Sequence, residues 1–224
     1  MINRFISSQT ADIGTIGFRE ALDLQHRLRD LREHDAIGDT ILFLDHPSVY
    51  TIGRHPNADN FTGVDAIETE RGGDVTYHGP GQLVIYPIIK IEKSGHIDVR
   101  KFVNDIQEVI IKSIEGLGFH CHLGDEPGIW AYDTPNGDRK VASLGMAIVK
   151  GISFHGASIN ISEEVLEGFS RIRPCGMDPG VIGYLNVNRN SMIGAVRNNL
   201  MDFLPSSRHL SKEEFYEFYS TLKN

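Results

Sequence analysis

The order of elements along the chain predicts an α+β domain with a mixed, mostly antiparallel sheet flanked by helices. Three observations carry that expectation. Two long amphipathic helical stripes are separated by short β-rich runs, hairpin signals cluster between residues 128 and 161, and regular βαβ alternation is missing.

Phe18, Ala21, Leu22, Leu24, Leu28 and Leu31 recur at helical spacing and predict a first helix with its Arg and Asp residues outward. Thr40 to Leu44 is a β-rich apolar run. Pro47 separates it from a second strand over Ser48 to Ile52, and Gln82 to Ile89 is a third. Asp98 is placed to cap a long helix whose Val99, Phe102, Val103, Ile106, Ile110 and Ile114 form one core stripe ending near Gly118. From Gly128 the pattern becomes hairpins: Ile129 to Thr134, a turn at Asn136-Gly137, Lys140 to Val149, a Lys150-Gly151 turn, then Ile152 to Ile161. Lys140 thus opens a strand beside a tight turn. Helical patterns return over Met192 to Phe203 and at the C-terminus, where Ser211 and Glu214 make a capping box ahead of Phe215, Phe218, Tyr219 and Leu222.

No repeat, low-complexity tract or linker divides the 224 residues, so residues 1–224 are expected to form one domain. With 40% hydrophobic and 23% charged residues the composition is that of an ordinary globular protein. A net charge of -8 argues against a surface for nucleic acid. The first eight residues are too short and polar for a secretory leader, and the apolar runs fall short of a bilayer span. Cys121 and Cys175 are expected as free thiols in a reducing compartment, which places the protein in the cytoplasm or a processed matrix setting, away from membranes.

The segment Arg71 to Gln82 combines four glycines and a proline with Arg71, Tyr77, His78 and Gln82, which suits close approach to a ligand. It is neither a Walker loop nor a dinucleotide fingerprint, since no Gly-Lys-Ser/Thr follows and the third fingerprint glycine is missing. Composition alone leaves it as a surface loop or a binding loop. Cys175, between Pro174 and Gly176, sits on a fixed loop, and Arg171 and Arg173 would favour its thiolate if either points at the sulfur. A packing role for Cys175 stays open at this level. His120 and His122 flank Cys121 at strand spacing, but no third ligand follows, so a metal is not expected there. They read as solvent-facing beside an inward Cys121, and His46 and His155 read as structural. No Gly-x-Ser-x-Gly elbow or His-Glu-x-x-His helix supports a serine hydrolase or zinc protease.

Five segments in order resemble the lipoyl(octanoyl) transferase family. They are Asp45 to Arg54, Arg71-Gly72-Gly73 with Thr76 to Gln82 and Tyr86-Pro87, Lys140-Val141-Ala142-Ser143-Leu144-Gly145, Phe154 to Asn160, and Ile172-Arg173-Pro174-Cys175-Gly176. The resemblance implies a biotin/lipoate protein ligase-like catalytic domain and acyl transfer without ATP or any cofactor. It assigns Cys175 as nucleophile and Lys140 as its activating partner. The substrate pocket it implies comprises Arg71, Gly72, Gly73, Asp74, Val75, Thr76, Tyr77, His78, Ser143, Leu144, Gly145, Gly156, Ala157 and Ser158. It further implies octanoyl-acyl carrier protein as donor, and lipoyl domains of 2-oxoacid dehydrogenases and the glycine cleavage H protein as acceptors. Docking of an acidic carrier would need a local basic patch such as Arg171 and Arg173.

The physical case agrees. Exchange of one thioester for another is nearly balanced, and a neighbouring lysine can favour the thiolate or take its proton. Leu144, Val84 and Ile85 are candidates for an apolar acyl tunnel. The family often carries a hydroxyl pair after its Cys-Gly, whereas Gly180-Val181-Ile182-Gly183-Tyr184 has none, a departure that bears on acyl preference rather than reaction type. The loop over residues 55 to 66, with Asn57, Asp59, Asn60 and Gly63, is a candidate mobile acceptor contact. Two rivals remain: an ATP-dependent lipoate or biotin ligase of the same fold, in which Cys175 has no task, and a catalytically silent binder of acyl or lipoyl-domain partners.

Overall fold

The computed structural model describes residues 7–93, 96–124, 128–201, 204 and 207–222. In chain order the elements are β1 (Gln9–Thr15), α1 (Phe18–Glu33), β2 (Thr40–Asp45), β3 (Val49–Ile52), β4 (Ala66–Glu68), β5 (Val75–His78), β6 (Gln82–Ile88), β7 (Glu92–Lys93), β8 (His96–Ile97), α2 (Val99–Glu115) and β9 (Cys121–His122). There follow β10 (Ile129–Thr134), β11 (Gly137–Val149), β12 (Ile152–Asn160), α3 (Val165–Phe169), α4 (Arg189–Leu200), β13 (Arg208–Leu210) and α5 (Lys212–Thr221).

Eight strands join in the order β13-β1-β2-β6-β12-β11-β10-β9. β1 runs parallel to both β13 and β2, and the remaining pairs are antiparallel, so the sheet is mixed and mostly antiparallel as expected. Both faces are covered, which explains why the central strands are nearly continuous apolar runs. Ile41, Phe43, Leu83 and Ile85 pack on the face under α2 and α4 with Phe102, Ile106, Ile110, Met192 and Val196. Their neighbours Leu42, Leu44, Val84, Tyr86 and Ile88 point the other way, to Ala21, Leu24 and Leu28 of α1 and Phe215 and Tyr219 of α5. The period of two along the strands thus feeds two cores at once.

The two long helices form where their apolar stripes predict, and Asp98 caps α2 by accepting from the Lys101 N–H at 2.8 Å. The capping box at Ser211 and Glu214 opens α5. The helix expected over Met192 to Phe203 starts earlier, at Arg189, where Asn188 accepts from the N–H groups of Asn190 and Ser191. Phe203 and residues 1–6 lie outside the described residues.

Two strand readings need correction. The β10–β11 turn falls at Pro135-Asn136 and β11 begins at Gly137, so Lys140 lies inside the strand, paired opposite Trp130, and is only 4% exposed. The Gly-rich segment is likewise not a loop throughout: Val75 to His78 form β5, antiparallel to β3 in a separate three-stranded sheet with β4. Pairing with a partner far along the chain overrides the local turn composition. This small sheet, with Ile52, Val75 and Tyr77, packs on Val165, Phe169, Ile172 and Ile182 in a third core beside the cysteine loop.

Candidate active site

Four stretches converge on one cavity: the glycine-rich run into β5, β11, β12 and the cysteine turn. Arg71 through Thr76, His78, Ser143, Leu144, Gly145, Gly156, Ala157, Ser158, Lys140 and Cys175 all line it. β11 and β12 supply their share as directly opposed pairs, Ser143 with Ser158, Leu144 with Ala157 and Gly145 with Gly156. Tyr77 is the exception among the expected residues. Adjacent strand positions face opposite ways, so with Thr76 and His78 toward the cavity Tyr77 points into the third core. Its ring meets Phe169 edge-on at 5.6 Å, its hydroxyl hydrogen-bonds Ser48 at 2.9 Å, and a Cβ at Gly168 would fall 2.1 Å from its Cζ. Of the tunnel candidates, Leu144 lines the cavity. Val84 and Ile85 belong instead to the cores on either face of the sheet.

Cys175 is exposed and sits in the 3-10 turn Pro174–Gly176 with φ 55° and ψ 30°, a left-handed conformation uncommon for a residue with a Cβ. Buried Ile172, Pro174 and Met177 anchor the turn on both sides. The Arg173 N–H donates to the Asn60 carbonyl at 2.8 Å, Asn60 Nδ2 donates to Asp74 at 2.5 Å, and the other Asp74 oxygen accepts from the Asn57 N–H at 2.9 Å. Asp74 therefore holds the loop of residues 57–60, part of the segment read as a mobile acceptor contact, and the Asn60 carbonyl of that loop braces the cysteine turn. Downstream, the Gly183 N–H donates to the Lys140 carbonyl at 2.9 Å and Ile182 bridges to Lys140, so the cysteine segment docks on the strand that carries the lysine.

Arg71 interacts electrostatically with Cys175. Arg171 and Arg173 are exposed, and Arg171 interacts with Tyr50. Arg71 is buried, donating from Nη2 to the Thr51 carbonyl at 2.8 Å and from Nη1 to the Gly72 carbonyl at 3.0 Å. Burial lowers its pKa to about 10, while the charges of Cys175, Tyr86 and Asp74 act in the opposite direction.

Three further residues line the cavity that the sequence did not single out as site residues: Phe18, Tyr86 and His155. Tyr86 and His155 stand within the family-like segments, which was the available signal. Phe18 has none, because its helical spacing reads as core. His155 has φ 54°, which turns its N–H out of the ladder to donate to Gln25 Oε1 at 2.7 Å, and its Nε2 lies 3.2 Å from Glu70. Burial lowers its pKa to about 4, so the ring is neutral near pH 7. His78 donates from Nδ1 to Gln82 Oε1 at 2.6 Å. The direction follows because Gln82 Nε2 donates to Asn160 Oδ1 at 3.0 Å, whose own Nδ2 donates to the Gly183 carbonyl at 2.9 Å.

Cys121 packs at the edge of the α2–α4 core, and burial pushes its thiol up to about 12, which makes it an unreactive filler. His120 and His122 face outward to Asp133 and Asp138, and no cluster suited to a metal is found among the described residues.

A family model described as the lipoyl protein ligase A/B catalytic domain matches residues 18–200, a span that contains every residue of this cavity. The chain belongs to the lipoyl protein ligase A/B catalytic domain family. It is similar to the octanoyltransferase of Corynebacterium diphtheriae, 40% identical over 179 residues that cover 77% of this chain and 70% of that protein. The octanoyltransferase of Alkaliphilus metalliredigens is 38% identical over 183 residues, 76% of this chain and 80% of that one. Among solved structures, a bipartite lipoate protein ligase from Thermoplasma acidophilum superposes with a TM-score of 0.66 at 15% identity, covering 93% of this chain and 89% of that one. A lipoate-protein ligase A bound with ATP gives 0.66 at 13% identity, with 92% and 88% covered. At such identities the likeness establishes the fold, and the lipoyl protein ligase A/B fold is the one described above.

Proposed function

We propose that this protein is an octanoyltransferase of lipoate attachment, with all 224 residues serving as one catalytic domain. The observation that carries the reading is that Cys175, on an exposed strained turn, and Lys140, buried in β11, line the same cavity. The octanoyltransferases to which the chain is 34–40% identical support it.

In the first half-reaction the Cys175 sulfur attacks the carbonyl of the octanoyl thioester on the phosphopantetheine of acyl carrier protein. A new S–C bond forms at Cys175, the donor S–C bond breaks, and the carrier leaves as its thiol with the proton that Lys140 has taken from Cys175. In the second, the ε-amine of a lysine on a lipoyl domain attacks the acyl-Cys175 carbonyl. An amide forms, the Cys175 thiol is restored, and the amine proton passes back through Lys140. The acceptors are lipoyl domains of 2-oxoacid dehydrogenases and of the glycine cleavage H protein, and the setting is the cytoplasm. The chemistry needs no cofactor. The Arg71 to Thr76 segment, with His78, Ser143 to Gly145 and Gly156 to Ser158, encloses the acyl group, and backbone N–H groups of these glycine-containing strands are suited to hold the tetrahedral oxygen.

Intact-mass analysis after mixing the protein with octanoyl-acyl carrier protein tests this. A hydroxylamine-labile octanoyl adduct on Cys175 is expected, and its absence would sink the proposal. Incubation with free octanoate and ATP separates the ligase alternative, for which product formation must depend on ATP.

A further inference from the structure

The cavity is also lined by buried aromatic rings that the transfer chemistry does not use. Cys175 is exposed, whereas Phe18, His78 and Tyr86 are 6%, 8% and 3% exposed. Phe18 is the first residue of α1 and stacks on His78, with centroids 6.1 Å apart and planes 13° from parallel. Behind them stands His46, 1% exposed and not itself a cavity residue. It meets the Phe18 ring edge-on at 5.2 Å and lies 5.8 Å from His78. His46 Nδ1 donates to the Ile16 carbonyl at 2.8 Å, and its Nε2 accepts from the Tyr86 hydroxyl at 2.8 Å. His78 is held in turn by Gln82.

We propose that Phe18, His78 and Tyr86 form a rigid stop at the inner end of the cavity and determine the length of acyl chain that Cys175 accepts. The inference rests on the acyl-transfer reading and adds to it the specificity of that site. Two physical facts support it. No ring of the stop can rotate aside without breaking a buried hydrogen bond or a stacked contact, so a longer chain must overpack the cluster instead of displacing it. The wall is also uncharged near neutral pH, because burial lowers His46 to about 4 and His78 to about 3, and it presents ring surface suited to the terminal methyl of a medium-length chain. Each methylene that gains or loses burial changes affinity about fourfold, so a stop displaced by a few carbons is easily read in relative rates.

The experiment compares the rate of acyl-Cys175 formation, by intact mass, with hexanoyl, octanoyl, decanoyl and dodecanoyl thioesters of acyl carrier protein. The wild-type chain is expected to react fastest with octanoyl and at least tenfold more slowly with dodecanoyl. Phe18→Ala, which removes the ring that caps the stop, should raise the dodecanoyl-to-octanoyl ratio at least tenfold. Phe18→Leu, the milder variant for use if the alanine protein fails to fold, should raise it severalfold. An unchanged ratio in either folded variant, or a wild-type chain indifferent to length, overturns the proposal. A wild-type chain that forms no adduct with any thioester overturns the transferase reading itself, and this proposal with it.

Discussion

The stem of Lys140 passes directly over Gly128: a Cβ built there would stand 2.4 Å from Lys140 Cε and 3.0 Å from its Cδ. Gly128 also has φ 133°, which side-chain-bearing residues rarely adopt. The direction of the lysine into the cavity is therefore set by an empty position just before the neighbouring strand β10. Gly128→Ala is expected to cost about 1–3 kcal/mol of stability from backbone strain and overpacking. It should also slow acyl-Cys175 formation at least tenfold. Urea unfolding and timed intact-mass measurement read the two effects, and an alanine variant with wild-type rate would remove Gly128 from the site.

Removing Lys140 itself tests its proton-transfer role. Lys140→Met keeps the stem and deletes the ammonium, and the rate of adduct formation should fall by about 10²–10⁴, the range of a positioned general acid–base. Stopped-flow or quenched mass analysis reads this, and a loss of less than about threefold would speak against the role. Cys175→Ser should give no hydroxylamine-labile adduct at all.

Cys175 holds a left-handed conformation at a cost of about 1 kcal/mol relative to glycine. Cys175→Gly should therefore be inactive yet at least as stable as the wild-type chain, separating strain kept for function from strain needed for folding. A clear fall in thermal midpoint would show that the thiol contributes packing here.

Asp74 holds the 57–60 loop through two hydrogen bonds, and the Asn60 carbonyl of that loop accepts from Arg173 at the cysteine turn. Asp74→Ala leaves the Asn57 N–H and the Asn60 amide without this acceptor, so a loss of about 1–3 kcal/mol is expected. Slower adduct formation should accompany it, because the turn loses its brace. A variant that loses stability but keeps the wild-type rate would confine Asp74 to structure.

His46, His78 and His155 bind protons far more weakly in the folded chain than in the unfolded one, where their pKa is near 6.5. Above pH 6.5 both states leave them neutral and they add no pH dependence. As pH falls below 6.5 the unfolded chain takes up protons that the folded chain refuses, so stability drops until the folded pKa values near 3–4 are reached. Each histidine contributes about 1.4 kcal/mol per pH unit in that window. Urea unfolding between pH 7 and pH 5 should show the decline, and a flat profile would contradict neutral burial of the three rings.

Much was legible in the sequence by itself because periodicity reports burial directly. The stripes of α1 and α2, the Asp98 cap and the Ser211–Glu214 box are local facts that survive in the fold, and the ordered segments around Arg71, Lys140 and Cys175 named most of the cavity wall. What only the tertiary structure decided are relations between residues far apart in the chain. Lys140 moved from the first position of a strand to its interior because β11 begins at Gly137 and pairs further than its turn signal implied. Tyr77 left the site because β5 pairs with β3 and alternates its side chains. Phe18, which reads as an ordinary core position, lines the cavity because the start of α1 lies beside His78. Arg71, about a hundred residues from Cys175 in the chain, lines the cavity with it and interacts with it electrostatically. Charge and packing act through space, and sequence neighbours stand in for spatial neighbours only within a single helix or strand.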